Sequence, residues 1–332
     1  MKTPSFWFGS QKSLSSLMLR PVARLYRLGA KTNYAVKAIS SKRARLPVLC
    51  VGNLTAGGGG KTPTTLALLK LLSTSGKYLS PFILTRGYGG KVTGPERVPA
   101  DGETVLWGDE ALLLARHAPT IKSINRVRGA EYARDQGADI ILMDDGAQNP
   151  SLVKDCLFMV INGAEGVGNG QLIPSGPLRE PLSSGLDRAD AIIMIGDDET
   201  GLTSLIKDKS RLFMADMHIK SGWRAPDKQP VVAFAGIARP ERFLKTVQLA
   251  GFQVKDFRSY SDHHNFTRRD IETLLELAKA YDAKLITTEK DAVRLPAFQG
   301  KEDIITLPVE VTFRDEDRLL AHIAHVLETK GR

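Results

Sequence analysis

Acidic side chains are missing from the first 95 residues of this 332-residue sequence, although 15 lysines and arginines occur there. The rest of the chain contains the other 31 basic residues and all 37 acidic ones, so it is mildly acidic. The whole chain carries a net charge of +9. A surplus of one sign at one end of a chain indicates a partner of opposite charge. We therefore expect the amino-terminal part to meet an anionic partner.

Cysteines and long apolar runs are also scarce. The two cysteines, Cys50 and Cys156, lie in apolar strand-like runs and are expected to be buried free thiols in a reducing compartment. No run of about 18 apolar residues occurs, so no membrane-spanning segment is expected, nor does the start read as a secretory signal. A content of 42% hydrophobic and 25% charged residues is ordinary for a soluble globular protein, and the length favours two domains.

A glycine-rich loop gives the clearest functional signal. Residues 46–72 read LPVLCVGNLTAGGGGKTPTTLALLKLL, which is an apolar run, a glycine loop, Lys-Thr and a leucine-rich helical segment. This order is typical of P-loop proteins, whose loop amides surround a nucleoside triphosphate. Lys61 would reach the β- and γ-phosphates, and the Thr62 hydroxyl would hold Mg²⁺. The predicted nucleotide-binding residues are Thr55, Ala56, Gly57, Gly58, Gly59, Gly60, Lys61 and Thr62, with Thr55 standing where the usual motif has glycine.

Carboxylates follow at two places that suit phosphoryl transfer. Residues 139–146, DIILMDDG, form an apolar strand that ends at Asp144 and Asp145, as in the element that holds Mg²⁺ opposite a P-loop threonine. The spacing does not tell which of the two contacts the metal. Asp109 precedes a short apolar helical stretch, where it either caps the helix or acts as a base at the mouth of the nucleotide site.

Two loops supply candidate ligand-binding side chains. Arg86 and Tyr88 lie in RGYGG at the end of a predicted strand, which is either an ordinary glycine turn or a loop that holds a phosphorylated ligand. Arg179 and Glu180 lie side by side in PSGPLREP. They are either exposed loop charges or a phosphate-binding arginine beside a glutamate that faces Mg²⁺.

Residues 12–31 place leucines, Met18 and Val22 at helical spacing, with arginines and a lysine on the remaining face. Such a basic amphipathic helix either lies on an anionic membrane surface or packs its leucine stripe on its own domain. A nucleic-acid partner is not expected, because the aromatic residues cluster at one end instead of alternating with basic ones.

Strands alternate with helices in both halves of the sequence, which predicts parallel sheets with ligands at the carboxyl ends of strands. The predicted fold is α/β: a P-loop NTPase-like core over residues 46–215, a second, smaller α/β domain over 216–332 and a basic amphipathic helix within 1–45. Residues 210–228 are predicted to be a linker. His263 and His264 have no third ligand at metal spacing, so zinc is not expected.

The chain contains an ordered set of motifs that resembles the set found in a known family. The motifs are GNLTAGGGGKTP, TRGYGG, GDE, DDG-x-Q, PSGPLREP, FAGIARPERF, SDHHNFT and TTEKDAVRL, running to about residue 295. They are similar to those of tetraacyldisaccharide 4′-kinase, the lipid A 4′-kinase of Gram-negative bacteria. The family's DDGFQH differs here at two positions, because Ala147 replaces phenylalanine and Asn149 replaces histidine.

The resemblance implies an activity and a place of action. Family members lie peripherally on the cytoplasmic face of the bacterial inner membrane. They transfer the ATP γ-phosphate to the 4′-hydroxyl of a tetraacylated glucosamine disaccharide 1-phosphate, a lipid A precursor, and we expect ATP, Mg²⁺ and this lipid as ligands. The implied roles are Asp109 as the base, supported by His263, and Lys61 as the group that neutralises charge on the transferred phosphoryl group. Thr62, Asp144 or Asp145, and Glu180 would surround Mg²⁺. Arg86, Tyr88 and Arg179 are the candidates that would hold the disaccharide and its 1-phosphate.

Two alternatives stay open from the residues alone. One is a P-loop kinase that acts on a soluble sugar or nucleoside, for which the amino-terminal helix would only pack on the protein. The other is an ATPase switch that hydrolyses ATP without an acceptor. A GTPase switch is not expected, since residues 288–291, TEKD, lack the asparagine and spacing of a guanine-binding motif.

Overall fold

The computed structural model describes residues 4–8, 13–224 and 228–331. The strands are β1 (Val48–Asn53), β2 (Pro81–Thr85), β3 (Glu96–Arg97), β4 (Thr120–Lys122), β5 (Ile140–Asp144), β6 (Cys156–Asn162), β7 (Ala191–Ile195), β8 (Leu212–Ile219), β9 (Pro230–Ala235), β10 (Gln253–Ser259), β11 (Lys284–Thr288), β12 (Ile305–Leu307) and β13 (Val309–Phe313). The helices are α1 (Leu14–Ile39), α2 (Lys61–Thr74), α3 (Thr104–Trp107), α4 (Asp109–Ala115), α5 (Arg126–Asp135), α6 (Leu182–Arg188), α7 (Pro240–Leu249), α8 (Arg268–Ala280), α9 (Glu289–Arg294) and α10 (Glu316–Thr329).

The chain divides into two compact units. Among the described residues, the first contains those within 4–217 and 311–331, and the second contains those within 218–310. The sequence-based boundary at 215/216 falls close to the start of the second unit, but that reading also assigned the carboxyl-terminal residues to it. They return to the first unit because β13 joins its sheet and Leu319 and Ile323 of α10 are buried in its core.

The first unit is built on a nine-stranded sheet in the order β13-β8-β7-β6-β1-β5-β2-β4-β3. Strand β1 lies in the middle and pairs in parallel with β5 and β6. Each of its residues is buried, which explains why its sequence is a continuous apolar run and does not alternate. Two hydrophobic clusters cover the two faces of the sheet, so the P-loop follows a strand that is packed on both sides.

The second unit has a four-stranded parallel sheet in the order β10-β9-β11-β12. Helix α8 packs on one face through Ile271 and Leu274, and α7 packs on the other through Phe243 and Val247. The start of α8 is fixed by a capping box, in which Thr267 and Asp270 satisfy each other's backbone amides. The predicted α/β character of this region agrees with the structure.

Much of the linker predicted over residues 210–228 is instead β8 (Leu212–Ile219), which pairs with β7, and the boundary between the two units falls within this strand. The strand was missed because it is only partly buried and carries polar residues such as Asp216 and His218. An apolar alternation signal is weak in such a strand.

Helix α1 is attached to the first unit by polar contacts. Ser16 is fully buried, and its hydroxyl donates to the Ser175 carbonyl over 2.8 Å, while the Ser175 hydroxyl donates to the Ser16 carbonyl over 2.7 Å. Asn169 donates to both residues. No helix in the described ranges is long and apolar enough to cross a bilayer.

Candidate active site

The P-loop lies between β1 and α2. Gly60 immediately precedes α2 with a φ of 83°, and a Cβ there would stand 2.5 Å from the Ile195 side chain, so glycine is required at this turn. Lys61 opens the helix and bends back, with its Nζ 3.2 Å from Oδ1 of Asn53 and 3.8 Å from Oδ1 of Asp145. The ammonium group is thus held at the end of β1, where the loop amides begin.

The loop itself is anchored by the segment that carries Arg179. The Ala56 amide donates to the Pro177 carbonyl over 2.8 Å, and the Arg179 amide donates to the Leu54 carbonyl over 2.8 Å. Thr55 forms an isolated antiparallel bridge with Leu178. The two loops that the sequence singled out separately therefore form one structure around the predicted phosphate site.

Asp144 ends β5 directly opposite Val51 of β1 and is almost fully buried. Its Oδ1 accepts a hydrogen bond from the Thr65 hydroxyl over 2.9 Å, and its Oδ2 lies 3.5 Å from the Thr62 hydroxyl. Burial and the nearby Glu110 carboxylate raise the pKa of Asp144 to about 7. A buried carboxylate that favours protonation is one that a bound cation would stabilise in the ionised form.

Asp145 is held differently, in a left-handed backbone conformation with a φ of 54°. Burial alone would raise the pKa of Asp145, but Lys61 and Arg179 outweigh it and hold that pKa below its usual value. The Arg179 Nη1 donates to both Asp145 oxygens over 3.1 and 3.3 Å. The two adjacent aspartates thus have opposite electrostatic environments. Asp145 is paired with Lys61 and Arg179, whereas Asp144 has no cationic side chain that it does not share with Asp145.

Glu180 has its carboxylate occupied by protein groups. Arg188 donates to both oxygens over 2.7 and 2.6 Å, and Gln148 donates to Oε1 over 3.0 Å. The same Gln148 amide donates to the Asn53 carbonyl. The arrangement ties Glu180 to the end of β1, and the predicted contact of Glu180 with Mg²⁺ stays a prediction.

Asp109 is the first residue of α4 and is only 4% exposed. Its Oδ1 accepts a hydrogen bond from the Glu110 amide over 3.0 Å, while the N-cap position belongs to Gly108 with a φ of 86°. Helix α4 packs against α2, the helix that follows the P-loop. Glu110, which the sequence reading did not select, raises the pKa of Asp144 and so belongs to the same cluster of charges. Its position directly after Asp109 in the GDE motif was the available signal.

A buried lysine connects the Asp109 turn with the predicted acceptor loop. Lys122 is fully buried and donates to the carbonyls of Leu106 and Trp107, each over 3.0 Å. A Cβ on Gly87 would stand 2.5 Å from its side chain, so the loop that carries Arg86 and Tyr88 lies directly on Lys122. Burial lowers the pKa of Lys122. Sequence reasoning missed it because nothing local distinguishes this lysine from a solvated one.

Arg126, at the start of α5, is a second residue that the sequence reading missed. It is 3% exposed and donates through Nη1 to the Ser123 carbonyl, yet its buried Nε has no hydrogen-bond partner among the described residues. Burial, followed by repulsion from Arg86, lowers the pKa of Arg126 to about 10, and the charges of Asp145 and Asp144 act in the opposite direction. A buried guanidinium with an unused donor favours an anionic ligand.

His263, predicted to support Asp109, lies in the second unit. It has a φ of 58°, and its amide donates to the Gly236 carbonyl over 3.1 Å. The Lys290 Nζ stands 3.4 Å from the ring Nε2. The pairing of His263 with Asp109 stays a prediction.

The two departures from the family motif lie in the turn after Asp145. Ala147 is fully buried, and a Cβ on Gly52 would stand 2.4 Å from its methyl group, so the turn packs directly on β1. Asn149 accepts a hydrogen bond from the Ser151 amide through its side chain and from Lys154 through its carbonyl.

A metal at this site would rely on few protein ligands. The described ranges contain no group of three or more His, Cys, Asp or Glu side chains placed to hold a metal. A nucleotide-bound Mg²⁺ does not need one, since phosphates and waters supply most of its ligands. Thr62 and Asp144 both offer oxygen ligands, which suit that ion. The raised pKa of Asp144 indicates that the protein itself supplies too little positive charge beside this carboxylate to favour its ionised form.

Comparison with known proteins identifies the family. Residues 15–328 match the family model described as tetraacyldisaccharide-1-P 4′-kinase. The chain belongs to this family. The tetraacyldisaccharide 4′-kinase of Rhodospirillum centenum is 40% identical over 342 residues, covering 99% of this chain and 98% of that protein. The tetraacyldisaccharide 4′-kinase of Paramagnetospirillum magneticum is 44% identical over 299 residues, covering 90% of each.

A solved structure agrees with this assignment. A crystal structure of LpxK from Aquifex aeolicus, described as an "apo" form in complex with ATP, matches with a TM-score of 0.73 and 26% identity, covering 94% of this chain and 99% of that one. The predicted α/β P-loop-like fold with an amino-terminal helix is confirmed. The predicted enzyme class, an ATP-dependent kinase that phosphorylates the 4′-hydroxyl of the lipid A precursor, is confirmed as well.

Proposed function

We propose that this kinase performs the transfer at the end of β1, with Lys61 and Thr62 on ATP and Asp109 as the base for the acceptor. The observation that carries the proposal is the meeting of Lys61, Thr62 and Asp144 beside the helix that starts at Asp109. Asp109 is buried at the first position of α4, and that helix packs against α2, which begins with Lys61 and Thr62; this supports the choice of Asp109 as the base.

The reaction needs one proton transfer and one displacement. Asp109 accepts the proton of the 4′-hydroxyl while that oxygen forms its bond to the γ-phosphorus of ATP. The bond between the γ-phosphorus and the β,γ-bridging oxygen breaks, and ADP leaves with the bonding electrons. The protein forms no covalent bond to the transferred group, so its contribution to the rate comes from positioning the reactants and stabilising charge.

The cations around the loop stabilise the charge that spreads over the transferred group. Lys61 is placed at the loop, and Arg179 lies beside it through their common partner Asp145. Arg126 adds a buried guanidinium close to both aspartates. Each acts in a site of low dielectric, where a fixed charge is worth more than in water.

Thr62 and Asp144 would hold the Mg²⁺ that accompanies ATP. The bound ion would neutralise negative charge on the β- and γ-phosphates and favour the ionised form of Asp144. Removal of divalent ions with EDTA is expected to abolish transfer, and excess Mg²⁺ is expected to restore it. Full activity in EDTA would contradict this part of the proposal.

We also propose that α1 docks on the cytoplasmic face of the inner membrane, where the lipid acceptor resides. Its apolar stripe (Leu14, Leu17, Met18, Val22, Leu25 and Leu28) is between 41% and 70% exposed. The exposure of this stripe supports membrane docking over the alternative in which the stripe packs on the protein's own domain, and the helix is held to the first unit through Ser16 on another face. Apolar side chains beside arginines suit an anionic bilayer surface.

The acceptor assay tests the central proposal. Purified protein, Mg²⁺ and γ-labelled ATP are incubated in detergent micelles with and without tetraacyldisaccharide 1-phosphate, and lipid is separated from free phosphate. We expect label in the lipid only when acceptor is present. Label released as phosphate without acceptor would favour the ATPase switch, and transfer to water-soluble acceptors alone would favour the soluble-substrate kinase.

The Asp109→Ala variant tests the base. We expect turnover to fall by about 10²–10⁴-fold with little change in ATP affinity, since general-base catalysis contributes on this scale. Asp101→Ala, which removes a carboxylate from the exposed loop before α3, is the matched control and should keep full turnover. If Asp109→Ala lowered only the melting temperature, the carboxylate would be structural.

The membrane proposal is tested by co-sedimentation with anionic liposomes. Replacing Leu14, Leu17 and Leu25 with glutamate is expected to abolish binding, because the stripe becomes charged. Leu79→Glu is the control, since Leu79 is 86% exposed yet lies outside α1. Equal sedimentation of the triple variant and the wild type would contradict membrane docking through α1.

A further inference from the structure

Helix α1 buries a serine although its apolar stripe is exposed. Ser16 and Ala23 are the buried residues of the helix, and Ser16 is 0% exposed, whereas the next residue, Leu17, is 41% exposed. A buried hydroxyl costs free energy unless it is hydrogen-bonded, so a serine at this position stabilises the attachment of the helix only if it has a specific partner. The partners of Ser16 therefore show what the helix holds in place.

Ser16 meets two buried polar residues of the loop after β6, Ser175 and Asn169. The hydroxyls of Ser16 and Ser175 each donate to the other residue's carbonyl, and the two Oγ atoms are 3.0 Å apart. The Asn169 Nδ2 donates to the Ser175 carbonyl over 3.0 Å and to the Ser16 Oγ over 3.3 Å. We call these three residues the serine junction. A buried polar network whose members bond to one another is rigid.

The chain before α1 is attached to the same loop. Trp7 donates through Nε1 to the Pro174 carbonyl over 3.0 Å, and the Asn169 amide donates to the Trp7 carbonyl over 2.7 Å. A Cβ on Gly168 would stand 2.4 Å from that carbonyl oxygen, so the two backbones are in direct contact. The amino-terminal part of the chain thus contacts this loop at two places, Trp7 and Ser16.

The other side of the same loop is bonded to the P-loop. Pro177, two residues after Ser175, accepts a hydrogen bond from the Ala56 amide over 2.8 Å through its carbonyl. The Arg179 amide donates to the Leu54 carbonyl over 2.8 Å. This short stretch of chain therefore connects the serine junction with the P-loop.

Hydrogen bonds within the loop after β6 make this connection stiff. The Leu178 amide donates to the Gln171 carbonyl over 3.0 Å, and the Ile173 amide donates to the Leu178 carbonyl over 2.9 Å. A Cβ on Gly176 would stand 2.0 Å from Oδ1 of Asn169, so glycine is required where the chain passes the serine junction. Close-packed interiors transmit a displacement instead of absorbing it. A change in the serine junction is therefore expected to reach the P-loop.

The connection ends at charged groups of the phosphate site. The Arg179 Nη1 is 3.1 Å from Oδ1 of Asp145, and the Lys61 Nζ is 3.8 Å from the same oxygen. A shift of the loop would therefore alter the position of Arg179 and that of the P-loop amides together. Phosphoryl transfer depends on the positioning of such groups, and a misplacement of about 1 Å can cost on the order of 10²-fold in rate.

We propose that Ser16 is a positioning residue for phosphoryl transfer, which acts through Ser175 on the P-loop and on Arg179. The inference rests on the proposed function, because it takes the P-loop as the ATP site. Ser16 acts through the serine junction and not by contact with ATP. The nucleotide site is thereby fixed relative to α1, the helix that we assign to the membrane in which the acceptor resides.

The Ser16→Ala variant tests this inference. It removes the hydroxyl and leaves a residue that favours the helix. We expect the Kd for ATP, measured by isothermal titration calorimetry, to rise about 10-fold and kcat to fall on the order of 10–100-fold. Both proteins are compared at a temperature at which unfolding curves show them to be folded. A merely structural role would lower the melting temperature and leave Kd and kcat unchanged, which would overturn the inference.

Ser15→Ala is the matched control, because Ser15 is the preceding residue of the same helix and is exposed. It should keep the wild-type Kd and kcat, and a loss equal to that of Ser16→Ala would overturn the inference. If Ser16→Ala does not fold, Ser175→Ala becomes the test variant with the same expected values, since it removes the reciprocal hydrogen bond of the same pair.

Hydrogen exchange tests the connection itself. The Ala56 and Arg179 amides form the hydrogen bonds between the P-loop and the loop after β6. In Ser16→Ala we expect faster exchange, followed by mass spectrometry, in peptides that cover these two amides, and unchanged exchange in peptides from the second unit. Wild-type exchange rates at both amides would mean that the serine junction does not act on the P-loop.

The Lys61→Ala variant separates this inference from the proposed function. We expect it to lose ATP binding in the same calorimetric measurement. If Lys61→Ala binds ATP like the wild type, the P-loop is not the ATP site and the proposed function fails. If Lys61→Ala loses ATP binding while Ser16→Ala keeps the wild-type Kd and kcat, the inference alone fails.

Discussion

Two buried aspartates near the carboxyl ends of parallel strands, one in each unit, are stabilised in opposite ways. Asp291, three residues past β11, accepts hydrogen bonds from the Gly236 amide and the Thr288 hydroxyl and forms a 2.9 Å ion pair with Arg294. Asp144, the last residue of β5, accepts a short hydrogen bond only from the Thr65 hydroxyl among the described residues.

The difference supports a structural role for Asp291 and the proposed functional role for Asp144. Burial raises the pKa of Asp291, but its own arginine counteracts that effect. The pair holds Gly236 after β9, whose amide donates to Asp291 and whose carbonyl accepts from both Arg294 and the His263 amide. Asp144 has Glu110 and Asp145 near it and shares Lys61 with Asp145. A buried charge that the protein does not compensate itself indicates a site completed by a ligand.

The largest stability effect is expected on the structural side of this comparison. Asp291→Ala leaves the buried Arg294 without its counter-ion, and removal of one partner of a buried pair costs about 3–5 kcal/mol. We expect a markedly lower denaturation midpoint, measured by urea unfolding with fluorescence. The double variant Asp291→Ala/Arg294→Met should recover part of the loss, because it removes the stranded charge. A single variant as stable as the wild type would refute the structural role.

Replacement of Asp144 is expected to lower activity without lowering stability, the reverse of the effect at Asp291. Asp144→Asn keeps the side-chain shape and removes a charge that the apo protein holds at a cost. We expect kcat to fall on the order of 10²–10³-fold, the scale seen when one electrostatic group of a catalytic site is removed. The melting temperature without nucleotide should stay equal or rise.

Asp145→Asn is the matched control for that result. Because Asp145 neutralises Lys61 and Arg179, its loss should lower the melting temperature, whereas loss of Asp144 should not. Equal destabilisation by both variants would mean that Asp144 has a structural role like that of Asp291. The pair of variants thus addresses the question that the sequence left open, namely which of the two adjacent aspartates faces the metal.

Local sequence could predict the elements in which one residue type dominates. The P-loop was predictable because glycines, Lys61 and Thr62 follow a strand buried along its whole length. Lys122 and Arg126 were not, because their burial depends on contacts with turns distant in the sequence. Strand β8 was missed because it is partly exposed and polar. The burial of these side chains and the pairing of this strand depend on contacts between residues far apart in the sequence, and a single sequence contains little information about such contacts.

A smaller effect is expected at Lys122, which connects the Asp109 turn to the Arg86 loop. Lys122→Met preserves the buried chain but leaves the Leu106 and Trp107 carbonyls without their donor, which costs about 1–3 kcal/mol. We expect lower stability together with a reduced kcat, because the backbone before Asp109 loses its support. Lys91→Met, an exposed lysine after the same loop, should change neither quantity. A kcat equal to that of the wild type would show that Asp109 is positioned without Lys122.

The smallest effect concerns pH and compares the same two aspartates. The pKa of Asp144 is raised from its usual 3.8 to about 7, so the folded protein binds this proton more tightly than the unfolded chain does. Its contribution to stability is therefore complete at low pH and is lost as pH rises through 7, a fall of about 1 kcal/mol between pH 6 and 8. Thermal unfolding without nucleotide should show this fall in the wild type and not in Asp144→Asn. The lowered pKa of Asp145 has the opposite sign and acts only in acid, so Asp145→Asn should retain the fall between pH 6 and 8. A slope that persists in Asp144→Asn would assign the titration to other groups, and Asp144 would then be ionised in the apo protein like any exposed carboxylate.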